Sequence, residues 1–344
     1  MAKANTMTIG IDLGDQFSQV CVLDEEGEVI EESKIRTTEE AFRMRLGGLE
    51  PGLAVMEVGT HSPWASRLLR GMGHECLVAN PASLYRKGRK KSDKIDAEKL
   101  ARWARSDPEM LEPVQHPGAD IQADMAVVHS RRALVEARTK LINRTRGMVK
   151  SWGARLPRCD AAYFHARVVS HVPPELKSAV EPLITIIASL TGQIELLEEQ
   201  IETLAMNKYG ENMRRLTQVK GVGTITALTY VLTLRQPERF PRSRQVGPYL
   251  GLTPRLDQSG ESDIPHSISK AGNTYLRVLL VQGAHHILER GPDTDLKRWG
   301  QRKAEGGKRA KRRAVVAVAR KLAVLLHHLW RSGEDYQPLR QAAA

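Results

Sequence analysis

The first eighty residues alternate short apolar runs with turn residues, a pattern typical of β-strands. Met7 to Leu13 predicts a buried strand, and Phe17 to Leu23 predicts a second one. Glu26-Gly27 is a typical hairpin turn and leads into a third strand from Glu28 to Ile35. Because both connections are short, we expect the three strands to form an antiparallel meander.

The following residues place helices between strands. Thr37-Thr38 precedes a helix that continues to about Leu49, and Leu53 to Val58 predicts a fourth strand. Ser62 to Met72 predicts a second helix, and Leu77 to Ala79 a fifth strand. This order of elements predicts an α/β domain with a mixed sheet.

Between residues 123 and 204 the hydrophobic period changes to seven, which predicts two long helices with apolar seams. The seam of the first helix contains Val127, Leu134, Leu141 and Met148, and that of the second contains Ile187, Leu190, Ile194, Leu197, Ile201 and Leu204. The two helices could pair within one chain or between two protomers. We favour a helical linker that also dimerises.

The charge balance indicates the class of partner. The 344 residues include 52 Lys and Arg against 40 Asp and Glu, a formal net charge of +12. This excess favours a polyanion, and nucleic acid is the first candidate. No apolar run approaches the roughly 20 residues of a membrane-spanning helix, and the N-terminus lacks the core of a signal peptide. We therefore expect a cytoplasmic, nucleoid-associated protein of bacterial type with no membrane partner.

Four carboxylates occupy positions that need compensation. Asp12 interrupts the first apolar strand and Glu57 the fourth, while Asp93 and Asp96 begin a helical pattern with a spacing that places both on one face. An unpaired charge in such a setting costs several kcal/mol, so each group needs a cation or a metal ion. The alternative is a mixed-charge helix start that Asp93 caps and neighbouring lysines neutralise.

Basic residues cluster in places suited to gripping phosphates. One cluster, Arg86, Lys87, Arg89, Lys90 and Lys91, lies just before the acidic pair, and another, Lys308, Arg309, Lys311, Arg312 and Arg313, precedes an apolar helix. Lys220 lies in the segment Val219 to Thr224, which resembles a helix-hairpin-helix motif whose glycines let backbone amides approach a DNA phosphate. Solvated charge runs and a plain glycine turn are the alternatives.

Asp12, Glu57, Asp93 and Asp96 together resemble the Asp-Glu-Asp-Asp set of a RuvC-like ribonuclease H fold. In that fold four carboxylates hold two divalent metal ions across a scissile phosphate. The resemblance implies Mg²⁺ as the cofactor, because this hard cation prefers carboxylate oxygen. A rival is the opening strand of actin-like sugar kinases, which Gly10 to Gly14 resembles. That fold needs a second such domain, which the sequence does not indicate.

The C-terminal third carries a second resemblance. Tyr249 to Arg255, Gln258-Ser259-Gly260 and Ser267 to Asn273 resemble the C-terminal domain of the DEDD-type insertion-sequence transposases, the one-hundred-and-ten family, which is related to the Piv invertases. The resemblance implies that Ser259 is a nucleophile linked covalently to a DNA 5′ phosphate, although a turn serine is the simpler interpretation of Gln-Ser-Gly alone. Arg255, Lys270 and Arg277 are then candidate phosphate ligands.

The family resemblance also implies partners and a domain order. Family members act on double-stranded element ends and targets, guided by a structured bridge RNA, and we expect a homo-oligomer, either a dimer or a dimer of dimers. We expect a RuvC-like α/β catalytic domain over 1–115, a coiled-coil helical linker over 116–208 and a mainly α-helical transposase domain over 209–335. Rival hypotheses are a RuvC-like structure-specific nuclease that uses water as nucleophile, and a DNA-binding protein without catalysis.

Overall fold

The computed structural model describes residues 7–80, 93–255, 258–259, 262–263 and 267–339. The chain divides into two compact units, one ending at residue 119 and the other beginning at residue 120. The first contains a five-stranded sheet with helices, and the second is mostly helical. The expected order, an α/β part followed by a helical part, is confirmed.

The first unit is a mixed sheet whose strands appear where the sequence pattern predicts them. Its elements are β1 Thr8–Asp12, β2 Phe17–Leu23, β3 Val29–Arg36, α1 Glu39–Leu46, β4 Leu53–Glu57, α2 Ser62–Gly71, β5 Glu75–Ala79 and α3 Asp93–Ser106. The strand order is β3-β2-β1-β4-β5, with β1, β2 and β3 antiparallel and β1, β4 and β5 parallel. The predicted meander and the mixed sheet are both confirmed.

Helix α3 packs unusually close to β1 because the strand carries Gly10 at the crossing. A Cβ built on Gly10 would lie 1.9 Å from the carbonyl oxygen of Ala97 and 3.0 Å from the Cβ of Ala101. At the other end of the helix, Arg105 Nη1 donates to the carbonyl of Asp24, which follows β2, at 3.2 Å. Helix α3 therefore runs antiparallel to β1, and its first turn lies at the carboxyl ends of β1 and β4.

The second unit contains two long helices and a cluster of shorter ones. Its elements are α4 Ala119–Ser151, α5 Phe164–Val168, α6 Lys177–Leu216, α7 Thr224–Leu234, α8 Val246–Tyr249, β6 Gln258–Ser259, β7 Ser262–Asp263, α9 Thr274–Glu289, α10 Asp295–Ala304 and α11 Lys308–Ser332. A large core joins α7, α9 and α11 to the end of α6. Within it, the buried Tyr230 hydroxyl donates to the carbonyl of Ala323 at 2.6 Å.

Helices α4 and α6 pair with each other inside the chain. Ile187, Ile194 and Ile201 of α6 are buried, as the heptad pattern predicted. Polar groups also join the helices: Arg131 forms an ion pair with Glu198, and Arg138 Nη1 donates to Thr191 Oγ1 at 3.2 Å. The seam that we expected to support dimerisation is thus filled from within one chain. Dimerisation through this region stays a prediction.

The predicted seam of α4 packs against the core but lies one residue away from the most buried column. The residues of α4 that are fully buried are Val128, Ile142, Thr145 and Val149, whereas Val127, Leu134, Leu141 and Met148 are half-buried. Val128, Ile142 and Val149 belong to a column with a seven-residue period, one position after the predicted column, and both columns are apolar. The period alone therefore could not show which column faces α6.

The antiparallel pair formed by α4 and α6, which we call the helical hairpin, belongs to the same compact unit as the C-terminal helices. Val128 of α4 and Ile201 of α6 pack in the core that contains the C-terminal helices. The structure divides after residue 119, and the functional domain expected over 1–115 stays a prediction. The division of the second unit into a helical linker over 116–208 and a transposase domain over 209–335 stays a prediction.

The expectation that no apolar run reaches membrane-spanning length is wrong. The stretch Pro174–Leu216 is long and apolar enough by length and composition, with a mean hydropathy of 1.4 in an 18-residue window. Helix α6 lies in this stretch, and its buried isoleucines pack in the hairpin. Of that window, 28% is buried inside the protein, and one helix that meets the criterion is weak evidence for a membrane span.

The close approach of α3 to β1 is testable by adding one methyl group. Gly10→Ala is expected to destabilise the protein by about 1–3 kcal/mol, because the new Cβ overlaps the main chain of α3. The control is Gly48→Ala, where the added Cβ has no heavy atom within 4 Å, and a change below about 0.5 kcal/mol is expected. Thermal unfolding of both variants measures this, and equal melting temperatures would contradict the packing.

Intramolecular pairing of α4 with α6 is testable by the concentration dependence of stability. Ile194→Ala is expected to cost about 2–5 kcal/mol because it opens a cavity in the hairpin. Leu196→Ala, which alters a side chain 53% exposed, should cost less than about 0.5 kcal/mol. The Ile194→Ala loss should be the same at every protein concentration. A loss that shrinks as concentration rises would instead indicate that two chains build the seam.

Candidate functional site

Two of the predicted carboxylates lie side by side at one edge of the sheet. Strands β1 and β4 are parallel, with Ile11 opposite Met56, so Asp12 and Glu57 follow at the same level on neighbouring strands. Both side chains are half-buried. Because parallel strands bring their carboxyl ends to a common edge, this arrangement follows from the sheet topology.

The helix that carries the other two carboxylates begins at the same edge. Asp93 is the first residue of α3, and its side chain lies outside the described part of the structure. The half-buried Asp96 accepts a hydrogen bond from Lys99 Nζ at 3.1 Å. Ala97, the next residue, touches Gly10 of β1. The structure thus brings Asp12, Glu57 and the first turn of α3 to one edge of the sheet.

The metal-binding assignment rests on the chemistry of these groups. Among the residues that the structure describes, no group of three or more His, Cys, Asp or Glu side chains could hold a metal ion. Asp12, Glu57 and Asp96 nevertheless offer the oxygen donors that Mg²⁺ prefers. Like-charged carboxylates repel each other unless a cation lies between them. The donor type fits Mg²⁺, and the four-residue site stays a prediction.

Sequence reasoning missed two polar side chains near this edge. Asp15 follows β1 and His61 follows β4, and His61 Nε2 lies 3.5 Å from Asp15 Oδ1. His61 Nδ1 accepts a hydrogen bond from Trp64 Nε1 at 3.1 Å. A ring that accepts at Nδ1 holds its proton at Nε2 when neutral, so it can donate to Asp15. Their positions in the sequence could have indicated them, because each follows a strand that ends in a predicted site carboxylate.

Ser259 lies in a two-stranded antiparallel pair in the chain between α8 and α9. Its strand β6 pairs with β7, with Ser259 opposite Ser262. We call residues 251–272 the serine arm. Among its described residues, the base is a short ladder in which Arg255 N donates to Ser267 O at 3.1 Å and Ser269 N donates to Thr253 O at 2.9 Å. The structure describes the backbone of Ser259 and not its side chain.

Lys270 has a strained backbone at the base of the serine arm. Its φ angle is 58°, in the left-handed region, which costs a side-chain-bearing residue about 1–2 kcal/mol. Its N–H donates to the carbonyl of Gly251 at 3.1 Å, and the residue is exposed, as Arg255 is. Strain at an exposed cation points to a functional use. Both residues are accessible for the predicted phosphate contacts.

Arg277 has a different environment from the one expected. Only 8% of it is exposed, and its guanidinium donates to the carbonyls of Leu250 and Gly272, each at 3.2 Å, and of Ala271. It is therefore not presented to a DNA phosphate in this structure. Its position three and seven residues before the buried Leu280 and Ala284 was the signal that it lies on the apolar face of α9.

The basic cluster at the start of α11 is exposed. Lys308, Arg309, Lys311, Arg312 and Arg313 are all accessible, the first turn contains no acidic residue, and Gly307 provides no side-chain cap. Cations at a helix N-terminus oppose the helix dipole, so a bound polyanion would relieve this repulsion. Arg309 and Arg313 share an open cleft with Lys303 of α10.

The other predicted basic residues divide between the described and undescribed parts of the chain. Lys220 is exposed in the turn between α6 and α7. In the same turn, a Cβ on Gly221 would lie 3.0 Å from the carbonyl of Gly283 in α9, so packing explains this glycine. The helix-hairpin-helix resemblance stays a prediction. Arg86, Lys87, Arg89, Lys90 and Lys91 lie outside the described residues.

Two family models match successive parts of the chain. A model named DEDD_Tnp_IS110, described as "Transposase", matches residues 9–152. A model described as "Transposase IS116/IS110/IS902 family" matches residues 213–298. The first range includes Asp12, Glu57 and α3, and the second includes the serine arm. These features define a DNA transposase.

Similar proteins cover nearly the whole chain. "Transposase for insertion sequence element IS1111A" from Coxiella burnetii is 30% identical over 338 residues, which are 96% of this chain and 91% of that protein. "Probable family 20 transposase" from Pseudomonas aeruginosa is 30% identical over 345 residues, 97% and 99% of the two chains. "Transposase for insertion sequence element IS1328" from Yersinia enterocolitica is 29% identical, covering 83% and 85%. The chain belongs to the IS110 family of insertion-sequence transposases.

The backbone strain at Lys270 predicts that one substitution will keep or raise stability while it lowers DNA affinity. Lys270→Gly removes the left-handed strain, so the free energy of unfolding should stay equal or rise by up to about 1 kcal/mol. Its affinity for element-end DNA should fall, and the slope of affinity against salt should decrease by about one phosphate contact. Lys270→Arg, which keeps the charge, is the control and should bind normally. Unchanged affinity in Lys270→Gly would remove this residue from the DNA contacts.

Proposed function

We propose that this transposase cuts and rejoins DNA at the ends of an insertion sequence through a covalent intermediate on Ser259. The observation that carries the proposal is the common edge at which Asp12, Glu57 and the first turn of α3 lie. The match of this unit to a DEDD transposase model supports it, and so does the match of the serine arm region to the same family. We propose a RuvC-like ribonuclease H fold for the first unit.

In the proposed reaction, the Ser259 oxygen loses its proton to a base and attacks the phosphorus of a DNA backbone phosphate. A bond forms between the serine oxygen and phosphorus, and the bond to the 3′ oxygen breaks. The 3′ oxygen takes a proton, and the protein is left joined to the 5′ phosphate. Attack by the 3′ hydroxyl of another strand then reverses the step and releases the serine, so the phosphodiester count is conserved.

The carboxylates would hold the metal ions in this reaction. Asp12, Glu57, Asp93 and Asp96 would bind two Mg²⁺ ions, which when bound supply positive charge for the attacking and leaving oxygens. Arg255 and Lys270 are exposed at the base of the serine arm and would orient the phosphate by charge-assisted hydrogen bonds. The exposed cluster on α11 would hold the DNA or RNA backbone.

We further propose a bridge RNA and an oligomer as parts of the active complex. A protein that holds both RNA and DNA must neutralise many phosphates, and the net charge of +12 supports this. Recombination requires two duplexes to be held together, so a dimer or a dimer of dimers suits the reaction. Either protomer could then supply the serine for a given phosphate.

The test is a denaturing gel of the protein with its co-purified RNA and labelled element-end DNA, with and without Mg²⁺. Wild-type protein should give a covalent protein–DNA band that requires Mg²⁺, and Ser259→Ala should give none because it lacks the nucleophile. Ser262→Ala, which changes the residue opposite Ser259, is the matched control and should keep the band.

An additional variant tests the carboxylates in the same gel. Asp96→Asn should lose the covalent band at least 100-fold with little change in DNA affinity, whereas Glu98→Gln, which alters the neighbouring Glu98–Arg102 pair, should retain it. Cleavage without a covalent band, unchanged in Ser259→Ala, would mean that water is the nucleophile. That result would favour a RuvC-like nuclease.

A further inference from the structure

One buried arginine ties together the two ends of the serine arm. Arg277 Nη1 donates to the carbonyl of Leu250, which precedes the arm, and to the carbonyls of Ala271 and Gly272, which end it. Arg277 Nη2 donates to Thr274 Oγ1 at 3.0 Å. The same guanidinium therefore holds the entry and the exit of the arm against α9.

The exit of the arm is also fixed on two helices. Asn273 caps α9, its side-chain oxygen accepting from Leu276 N at 3.0 Å, and its amide nitrogen donates to Thr233 Oγ1 of α7 at 3.2 Å. Gly272 has a φ of 69°, and a Cβ on it would lie 2.2 Å from the carbonyl of Tyr249. The main chain before and after the arm is thus in direct contact where Arg277 binds.

We propose that Arg277 is a positioning residue for the serine reaction. It acts through the backbone of the serine arm, holding the base so that Ser259 reaches the phosphate in a fixed orientation. The inference rests on the proposed function, because the orientation of the arm matters to catalysis only if Ser259 is the nucleophile. It replaces the role in phosphate binding that the sequence suggested for Arg277.

A small rotation at the base of the serine arm produces a larger displacement of residues far from the base. Ser259 follows Pro254, at the base, by five positions, and a chain of that length spans at most about 17 Å. A rotation of about 10° at the base would move a point at that distance by about 3 Å. Misplacement of a reacting group by about 1 Å can already cost about 100-fold in rate. A loose base would therefore slow the reaction without removing any reacting group.

Lysine should not substitute for arginine here. The guanidinium is a planar fork with five N–H groups, so it can donate to carbonyls on both sides of the arm at once. A lysine ammonium carries the same charge at a single point on a flexible stem. Arg277→Lys therefore keeps the charge and loses the connection between Leu250 and Gly272.

The experiment compares Arg277→Lys with Arg290→Lys, the same change at an exposed position just after α9. Each protein, with its RNA and Mg²⁺, is measured for the rate of covalent adduct formation at saturating DNA, for DNA affinity against salt, and for backbone hydrogen exchange. Arg277→Lys should lower the adduct rate about 100-fold, keep affinity and salt slope, and speed exchange at the Arg255, Ser269 and Lys270 amides. Arg290→Lys should change none of these.

Three outcomes would overturn the inference. A lower DNA affinity and salt slope with unchanged exchange would make Arg277 a phosphate ligand, and a normal adduct rate in Arg277→Lys would leave it without a positioning role. A wild-type protein that forms no serine adduct would overturn the proposed function and this inference with it. A wild-type protein that forms the adduct, with a normal rate in Arg277→Lys, would overturn the positioning role alone.

A crosslinked variant keeps the test decisive if Arg277→Lys folds poorly. Pro254 and Ile268 form an antiparallel bridge at the base of the arm, and the surrounding hydrogen bonds make them a non-hydrogen-bonded pair, the kind with the shorter Cα separation. Pro254→Cys with Ile268→Cys, added to Arg277→Lys, should recover the adduct rate at least tenfold when oxidised compared with reduced. No recovery in a folded, crosslinked protein would count against the positioning role.

Discussion

The close contact between α3 and β1 determines where the acidic residues of the first unit lie. Gly10 lets the main chain of Ala97 approach the strand to a distance that no side chain would permit. Asp96 immediately precedes that contact, and Asp12 lies two residues beyond Gly10 on the same strand. A carboxylate near the N-terminus and others more than eighty residues later therefore reach one edge of the sheet. The pairing of β1 with β4 adds Glu57 at the level of Asp12.

The second unit relies on buried polar groups as well as on hydrophobic packing. The buried Tyr230 hydroxyl bonds a carbonyl of α11, and Arg277 bonds three carbonyls around the serine arm. Burying such a group is unfavourable unless its hydrogen bonds are made, so each restricts the arrangement of the elements that it joins. Apolar contacts alone would tolerate a small slide of the helices. These polar contacts select one register for each pair of elements.

The sequence predicted the features that depend on local pattern and missed those that depend on neighbours. Strand β2 appears at Phe17–Leu23 as predicted, because its apolar run from Val20 to Leu23 is buried on both faces of the sheet. The seam of α4 was misread because Val127 and Val128 head two apolar columns of equal period, and only the position of α6 separates them. Arg277 was expected to face DNA because arginine commonly does so, whereas its burial depends on carbonyls that the fold brings around it. The grouping of the carboxylates was suggested by resemblance, and the sheet topology supplies the physical reason for part of it.

Several exposed cations make the free protein less stable than its fold would allow. Lys270 holds a left-handed backbone angle that a glycine would adopt without strain, and five basic residues crowd the start of α11, where the helix dipole disfavours them. A polyanion that binds these sites stabilises the folded state by mass action and relieves the repulsion at the same time. Under the proposed function, the strain and the repulsion would couple folding to nucleic-acid binding. If nucleic acid binds at these positions, as proposed, this coupling gives a physical reason for a transposase to keep unfavourable charges there.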